Sequence, residues 1–351
     1  MKLVETDPES GSEIYQLTDD PRPTDNIYGE QPYGNGEGNR ITVRHYFTDE
    51  TEGGLSFLDL DDGSLHTVIS GQSRFPAFHA WGDYLYYQQE VDGELFLKRC
   101  HYQKVVHEDV IKLPHDVGNL SYGTTSQDGN YYAVSVRQED GLSLVLLFHI
   151  SDGRRETMVQ STERYFKHEQ FSLDTTNRVL IQANSLDVSS VYLGILNVGQ
   201  EGVAWTAADR PHTPRPTGHE AWIGSSDRIF FSTGVDNEGE TNLWITGVDD
   251  QTSTPVSNRS IRGSHISVSR CGNYWICDAA GEENVPIYIG SIENGRFQKL
   301  VETRTVHDSK QWSHTHPYVT ADNQWLIYTS TRSGNPQVFG ARIPSSFLDE
   351  L

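Results

Sequence analysis

The chain has 351 residues, of which 11% are aromatic and 31 are glycine, and its formal net charge is -22 at pH 7. A surface this acidic argues against nucleic acid and anionic membranes as partners, because phosphate binding needs a dense basic surface. No apolar run reaches the length of a membrane span, the N-terminus lacks the pattern of a signal peptide, and the three cysteines lack disulfide or zinc spacing. We therefore expect a cytoplasmic protein, either a monomer or a small homo-oligomer, and we interpret the acidity as adaptation to a salty cytoplasm.

A short phrase, a polar turn followed by an alternating apolar strand, recurs seven times along the chain. It reads GNRITVRHY from Gly38 in the first copy and DNQWLIYTS from Asp322 in the last. A second strand-forming phrase follows each copy, and helical periodicity is nearly absent. Equivalent positions lie roughly 43 to 51 residues apart, the length of a four-stranded propeller blade; they are Ile41, Tyr84, Tyr131, Val179, Ile229, Tyr274 and Trp325.

These repeats predict an all-β protein, a seven-bladed β-propeller that forms one domain over residues 1–351. The last copy ends near the C-terminus with only its inner strands, while the N-terminus offers an additional strand, EIYQLT from Glu13. We predict that this strand completes the last blade and closes the ring, because an open array would leave exposed sheet edges.

Four consecutive repeats carry a histidine at a similar position, roughly nine to eleven residues before the equivalent strand residue. This position lies before the turn that joins the first two strands, so the histidine belongs to the innermost strand, which lines the central channel. Side chains at the same level of adjacent inner strands converge near the axis. The four residues are His168, His219, His265 and His316.

The segment KQWSHTHPYVT, from Lys310, contains a glutamine and a further histidine shortly before the histidine of the last repeat. His314 and His316 share one face of an extended strand, and Gln311 reaches in from the preceding loop. Together with His265, they offer three neutral imidazoles and one amide oxygen, which suit manganese, iron, nickel or zinc. Open positions on such an ion would make it a Lewis acid. The alternative, in a chain with 14 histidines, is a chance cluster that hydrogen-bonds carbonyls or water.

His219 lies one blade further from these ligands, where a base is more useful than another ligand. Glu220 is a candidate to orient His219, and Trp222 is a candidate to contact the substrate; simple packing is an equal alternative for both. His168 is interpreted as a substrate contact or as a channel histidine that bonds a carbonyl or a water.

Four segments resemble the oligogalacturonate lyases of polysaccharide lyase family 22, and the resemblance spans nearly the whole chain. They are TGHEAW from Thr217, SHISVSRCGNYWICDA from Ser264, QWSHTHPYVTADNQWLIYTSTRSG from Gln311 and YQLTDDPRPTDNIYGEQPY from Tyr15. The resemblance implies a seven-bladed β-propeller that cleaves short galacturonate oligomers by β-elimination, with manganese as the usual ion.

Residue by residue, the resemblance implies that His219 is the proton-abstracting base and that the metal is bound by His265, Gln311, His314 and His316. The family also has an arginine on a strand of the fourth blade, where this chain has Ser190. We expect another arginine to supply that charge, with a surface or turn position as the alternative for each candidate. The candidates are Arg215 at the catalytic centre, and Arg210 and Arg332 as substrate-binding residues.

The sequence therefore predicts a metal-dependent lyase whose partner is a small acidic oligosaccharide and whose products are 4,5-unsaturated uronates. Two alternatives stay open: a propeller that binds a partner without catalysis, and a lyase for a different acidic oligosaccharide.

Overall fold

The computed structural model of the protein describes residues 1–48, 52–71, 74–115, 118–187, 189–206, 218–234, 240–306 and 310–351. Regular structure in these ranges is nearly all β-strand. The helical elements described are a 3-10 turn, Gln311–Ser313, and a short α-helix, Ser345–Asp349. Within the same ranges, no helix has the length and apolar character needed to cross a membrane.

Two strands precede the repeats, β1 (Lys2–Thr6) and β2 (Glu13–Gln16). Seven antiparallel sheets follow in chain order, one for each repeat, and we number them as blades 1 to 7. Blade 1 contains β3 (Thr24–Asp25), β4 (Arg40–His45), β5 (Gly54–Asp59) and β6 (Leu65–Ser70). Blade 2 contains β7 (Arg74–Ala77), β8 (Tyr84–Val91), β9 (Glu94–His101) and β10 (His107–Leu113). In blade 3, the strands are β11 (Asn119–Leu120), β12 (Thr124–Thr125), β13 (Tyr131–Arg137), β14 (Ser143–His149) and β15 (Arg155–Ser161).

The second half of the ring repeats this plan. Blade 4 contains β16 (Arg164–Phe171), β17 (Arg178–Ser185), β18 (Val191–Asn197) and β19 (Ala204–Thr206). Blade 5 contains β20 (Glu220–Trp222), β21 (Arg228–Ser232), β22 (Leu243–Gly247) and β23 (Thr254–Pro255). Blade 6 contains β24 (Ile266–Val268), β25 (Tyr274–Asp278), β26 (Pro286–Ser291) and β27 (Phe297–Glu302). Blade 7 supplies β28 (Tyr318–Val319), β29 (Trp325–Ser330) and β30 (Gln337–Arg342). The predicted all-β, seven-bladed propeller is confirmed.

The N-terminal strands lie in the last sheet, whose order is β1-β2-β30-β29-β28. In the pairing of β2 with β30, Ile14 stands opposite Ala341, and both side chains are fully buried. The hydroxyl of Thr18 also donates to the side-chain oxygen of Gln337 at 2.7 Å. Blade 7 is thus built from both ends of the chain, and β1 adds an outer fifth strand.

The hydrophobic core lies between neighbouring blades. Between blades 3 and 4, for example, Ala133, Val145, Val179 and Ile181 are all fully buried in one cluster. Burying an aliphatic side chain of this size contributes about 1.5–3 kcal/mol. Stacking therefore stabilises sheets that would be marginal alone.

Residues 26–33, between β3 and β4, form a central segment that lies in the channel. At blade 7, the side-chain amide of Asn26 donates to the carbonyl of His316 at 2.7 Å. At blade 4, the side-chain amide of Gln31 donates to the carbonyl of Glu169 at 3.1 Å. This segment brings polar side chains of blade 1 to the axis of the ring.

Candidate metal centre and adjoining cavity

Three histidines from two adjacent blades converge at the axis. His265 immediately precedes β24, while His314 and His316 precede β28, and their ligand atoms all lie within 4.8 Å of one another. The His265 ring centroid is 4.6 Å from that of His316 and 5.1 Å from that of His314. Gln311 reaches in from the 3-10 turn, where its amide nitrogen lies 2.8 Å from Nε2 of His316. The structure thus brings together all four residues that were predicted to bind a metal.

A buried carboxylate orients His265. Nδ1 of His265 donates to Asp278 at 2.7 Å, and the backbone N–H of His265 donates to the other carboxylate oxygen at 2.8 Å. Burial raises the pKa of Asp278, but the His265 charge and hydrogen bonds from His265 and Thr315 outweigh burial and hold the pKa at about 2. Asp278 therefore stays ionised and occupies Nδ1 of His265, as the carboxylate partners of metal-bound histidines do on the nitrogen that does not bind the metal.

His316 is suited to bind a cation as a neutral imidazole. Burial, followed by the positive charges of neighbouring histidines and Arg44, lowers its pKa well below the usual value. Its side chain is 1% exposed, and its Nδ1 has no hydrogen-bond partner among the described residues. An unpartnered buried nitrogen calls for an explanation. A bound ion provides one, and the donor set of three imidazoles and an amide fits a divalent transition ion.

A second cluster adjoins this centre, where the rings of His168 and His219 stack with centroids 6.0 Å apart. Oε1 of Glu30, from the central segment, lies 3.2 Å from Nδ1 of both histidines. Burial raises the pKa of Glu30, but the two histidines and the backbone N–H of Glu220 outweigh it and lower the pKa to about 2. The His219 ring lies 5.0 Å from the His265 ring, so this cluster and the candidate metal centre share one site.

The prediction that Glu220 orients His219 was wrong. Successive residues of an extended chain point in opposite directions. Oε1 of Glu220 instead lies 3.1 Å from Nδ1 of His168, and Gln182 donates to its other carboxylate oxygen at 2.8 Å. Burial lowers the pKa of His168, but the charges of Glu30 and Glu220 outweigh burial and raise the pKa.

The central segment packs directly against these histidines. The hydroxyl of Tyr28 lies 3.3 Å from Nδ1 of His219 and 3.4 Å from Nε2 of His168. Gly29 permits this approach, because a Cβ atom there would lie 2.8 Å from the backbone of His316. Sequence reasoning assigned no role to this segment or to Asp278. For Asp278 a signal was present: an acid at the end of an otherwise apolar strand.

A cavity of about 390 Å³ opens beside the two clusters. Its walls combine aromatic, cationic and amide side chains with the candidate ligand Gln311, and His168 lies on its surface. The lining residues are Ile27, Tyr28, Gln31, Tyr33, Arg44, Ser121, Tyr122, Gly123, Lys167, His168, Glu169 and Gln311.

Two predicted substrate contacts are contradicted. Trp222 is 3% exposed in the core between blades 4 and 5, and its indole N–H donates to the carbonyl of Gln170 at 3.1 Å. Trp222 lies further along the inner strand than His219, where apolar side chains surround it. Arg332 is held by Glu5 of β1 at 2.8 Å and lies over the ring of Phe339, so it does not line the cavity. Two other candidates, Arg210 and Arg215, lie outside the described residues.

No family model matches the chain. An alignment 149 positions long, which covers 36% of this chain, is 23% identical to the oligogalacturonide lyase of Pectobacterium atrosepticum and covers 37% of that protein. The chain resembles the oligogalacturonate lyases. The sequence match spans little more than a third of the length of that curated relative.

Solved structures show the same likeness in the fold over nearly the whole chain. The oligogalacturonate lyase of Vibrio parahaemolyticus superposes with a TM-score of 0.79 at 16% identity, covering 99% of this chain and 98% of that one. An oligogalacturonate lyase in complex with manganese gives a TM-score of 0.77 at 16% identity, with the same coverage. At this identity the agreement establishes the propeller fold.

Proposed function

We propose that this protein is a metal-dependent lyase that cleaves short galacturonate oligosaccharides by β-elimination and releases 4,5-unsaturated uronates. The observation that carries the proposal is the convergence of His265, His314, His316 and Gln311 beside His219, at a cavity. The activity named for the relative and the manganese in one structural neighbour support the same conclusion.

Three imidazoles and the Gln311 amide would hold the ion, and manganese is the ion that we propose. When bound, the ion supplies Lewis-acid neutralisation of the charge that builds on a carboxylate when the neighbouring carbon loses a proton. Asp278 fixes the orientation of His265 for this purpose.

His219 is the proposed base. With its Nδ1 held by Glu30, its Nε2 is free to accept the proton from carbon 5 of the uronate. Imidazole is the usual general base near neutral pH. The bond from carbon 4 to the glycosidic oxygen then breaks, and the electron pair of the broken C–H bond forms the double bond between carbons 4 and 5. The departing oxygen takes a proton, from the protonated His219 or from solvent. This reaction uses no nucleophilic serine or cysteine and no attacking water.

The test is turnover of digalacturonate, or of its unsaturated analogue, by purified protein supplied with manganese. The new double bond is followed by its ultraviolet absorbance. We expect a signal that chelation abolishes and that manganese restores. His219→Ala should abolish turnover while elemental analysis still finds bound metal. His66→Ala, on the outer strand β6 of blade 1, is the matched control and should behave as the wild type.

The results separate the alternatives. Activity on another acidic oligosaccharide but not on galacturonates would keep the chemistry and change the substrate. If no uronide is turned over and elemental analysis finds no bound metal, the results would favour a binding module and overturn the proposal.

A further inference from the structure

The cavity beside the candidate metal centre is cationic, although the chain carries a formal net charge of -22. Arg44 from β4, together with Lys167 and His168 from β16, lines the cavity, and Glu169 is the acidic residue among the lining side chains. A local excess of positive charge in an acidic protein is expected where an anionic ligand has to approach.

Besides His168, which lies against the carboxylates of Glu30 and Glu220, two of the charged lining residues are already committed to protein partners. Arg44 pairs with Asp25 at 2.6 Å and donates to the Tyr122 hydroxyl at 2.6 Å. The Glu169 carboxylate accepts hydrogen bonds from the backbone N–H of Ser135 at 2.8 Å and from its hydroxyl at 2.7 Å. These two residues therefore shape the wall of the cavity and have little charge left to offer a ligand.

Lys167 differs from them. Its side chain is half-buried, and its ammonium group has no ion pair or hydrogen bond with any residue that the structure describes. Nearby, Arg164 of the same strand is engaged elsewhere: it donates to the carbonyl of Ala183 at 3.2 Å and lies over the ring of Tyr192. Lys167 is thus a lysine in a ligand-sized cavity whose charge is not neutralised by a described carboxylate.

The dimensions of the cavity suggest which anion Lys167 receives. The cavity extends from Gln311, a candidate metal ligand, to Lys167, and its volume of about 390 Å³ lies within the range of small-molecule sites. A galacturonate oligomer carries one carboxylate on every sugar. The reacting sugar presents its carboxylate to the metal centre, so the next sugar carries a second carboxylate along the cavity.

We propose that Lys167 binds the carboxylate of the sugar next to the reacting sugar, and so makes the site selective for a diuronate over a monouronate. This inference rests on the proposed function. It gives Lys167 a substrate-binding charge of the kind that was expected of Arg210 and Arg332.

The test measures the binding of digalacturonate and of galacturonate by calorimetry. Manganese-supplied protein carrying His219→Ala is used in every arm, so that turnover does not interfere. Lys167→Met, which keeps the length of the side chain and removes its charge, should weaken digalacturonate binding about 10- to 100-fold and leave galacturonate binding nearly unchanged. Lys167→Arg should retain selectivity for digalacturonate. Lys104→Met, at an exposed lysine, is the matched control, and thermal midpoints check the folding of each variant.

The inference is overturned if Lys167→Met weakens both ligands equally, weakens neither, or if the parent protein binds no uronide. These results are separate from the turnover assay. If protein with native His219 turns over digalacturonate but Lys167→Met does not change the selectivity of binding, the proposed lyase activity stands and the proposed role of Lys167 is rejected. Selectivity that depends on Lys167 without any turnover would reject the lyase and keep a diuronate-binding site.

Discussion

The same arrangement, a buried carboxylate in contact with Nδ1 of a histidine, occurs twice in the site. Asp278 holds His265, a candidate metal ligand, and Glu30 holds His219, the proposed base. Both carboxyl groups are buried, yet the paired histidines outweigh burial and bring each pKa to about 2. Each carboxylate therefore keeps its charge at neutral pH and leaves Nε2 of its histidine as the reactive nitrogen.

Glu30→Gln tests this reasoning at the proposed base. The amide keeps the shape of the side chain but removes the negative charge that stabilises a protonated His219. We expect kcat to fall about 10- to 100-fold, as when other orienting partners of histidine are lost, while manganese affinity stays close to the wild-type value. Steady-state kinetics on digalacturonate and a calorimetric titration with manganese measure the two effects.

The control for this prediction is Glu37→Gln, in the same loop between β3 and β4. Glu37 accepts a hydrogen bond from Gln103 at an exposed position and has no contact with the histidines. A wild-type kcat for Glu30→Gln would contradict the assigned role. A large loss of manganese affinity would show that Glu30 acts through the metal centre and not through His219.

At the scale of elements, the blades could be predicted because their signals are local. A polar turn followed by alternating apolar residues identifies β29 as clearly as β13. Seven copies of this pattern at one period indicate a closed ring. The convergence of His265 and His316 follows from that period, because equivalent positions of adjacent blades face the same axis. The metal-site prediction therefore depended on repeat geometry more than on any single motif.

The central segment could not be predicted in this way, because its partners are distant in the sequence. Tyr28 contacts His168 across 140 residues and His219 across 191 residues. The turn between β3 and β4 of blade 1 is replaced by this segment, and no repeat position indicates where it lies. For Trp222, the wrong prediction came from closeness in sequence to His219, whereas inter-blade packing decides its environment.

Gly29→Ala tests whether the central segment supports the site. The new Cβ atom would lie 2.8 Å from backbone atoms of His316 and Pro317, so the segment or the backbone at His316 has to move. We expect an overpacking cost of about 1–3 kcal/mol in the free energy of unfolding, together with weaker manganese binding and lower kcat. Denaturant unfolding, manganese titration and the absorbance assay measure these three quantities.

Gly281→Ala is the matched control, since a Cβ atom there has no neighbour within 4 Å. It should leave stability, manganese affinity and turnover at wild-type values. If Gly29→Ala behaves in the same way, the central segment is not in close support of His316 and its proposed role in the site fails.

At the scale of the whole molecule, charge is distributed unevenly between the surface and the axis. The formal net charge is -22, yet the cavity is lined by Arg44, Lys167 and His168. An anionic substrate is repelled by the long-range field and attracted at short range by Lys167, whose charge has no described carboxylate partner, and by any bound cation. Salt screens interactions between exposed charges more than those of partly buried groups, so added salt should weaken the repulsion more than the attraction.

The acidic surface also predicts how stability depends on salt. Repulsion among like charges destabilises the compact state, and the Debye length falls from about 30 Å at 0.01 M salt to about 3 Å at 1 M. We expect the thermal midpoint at pH 7 to rise by about 2 °C or more over this range of KCl, as measured by scanning calorimetry. The rise should shrink near pH 4.9, the isoelectric point, because the net charge there is close to zero. An unchanged midpoint at pH 7, or an equal rise at both pH values, would show that surface repulsion does not limit the stability of this propeller.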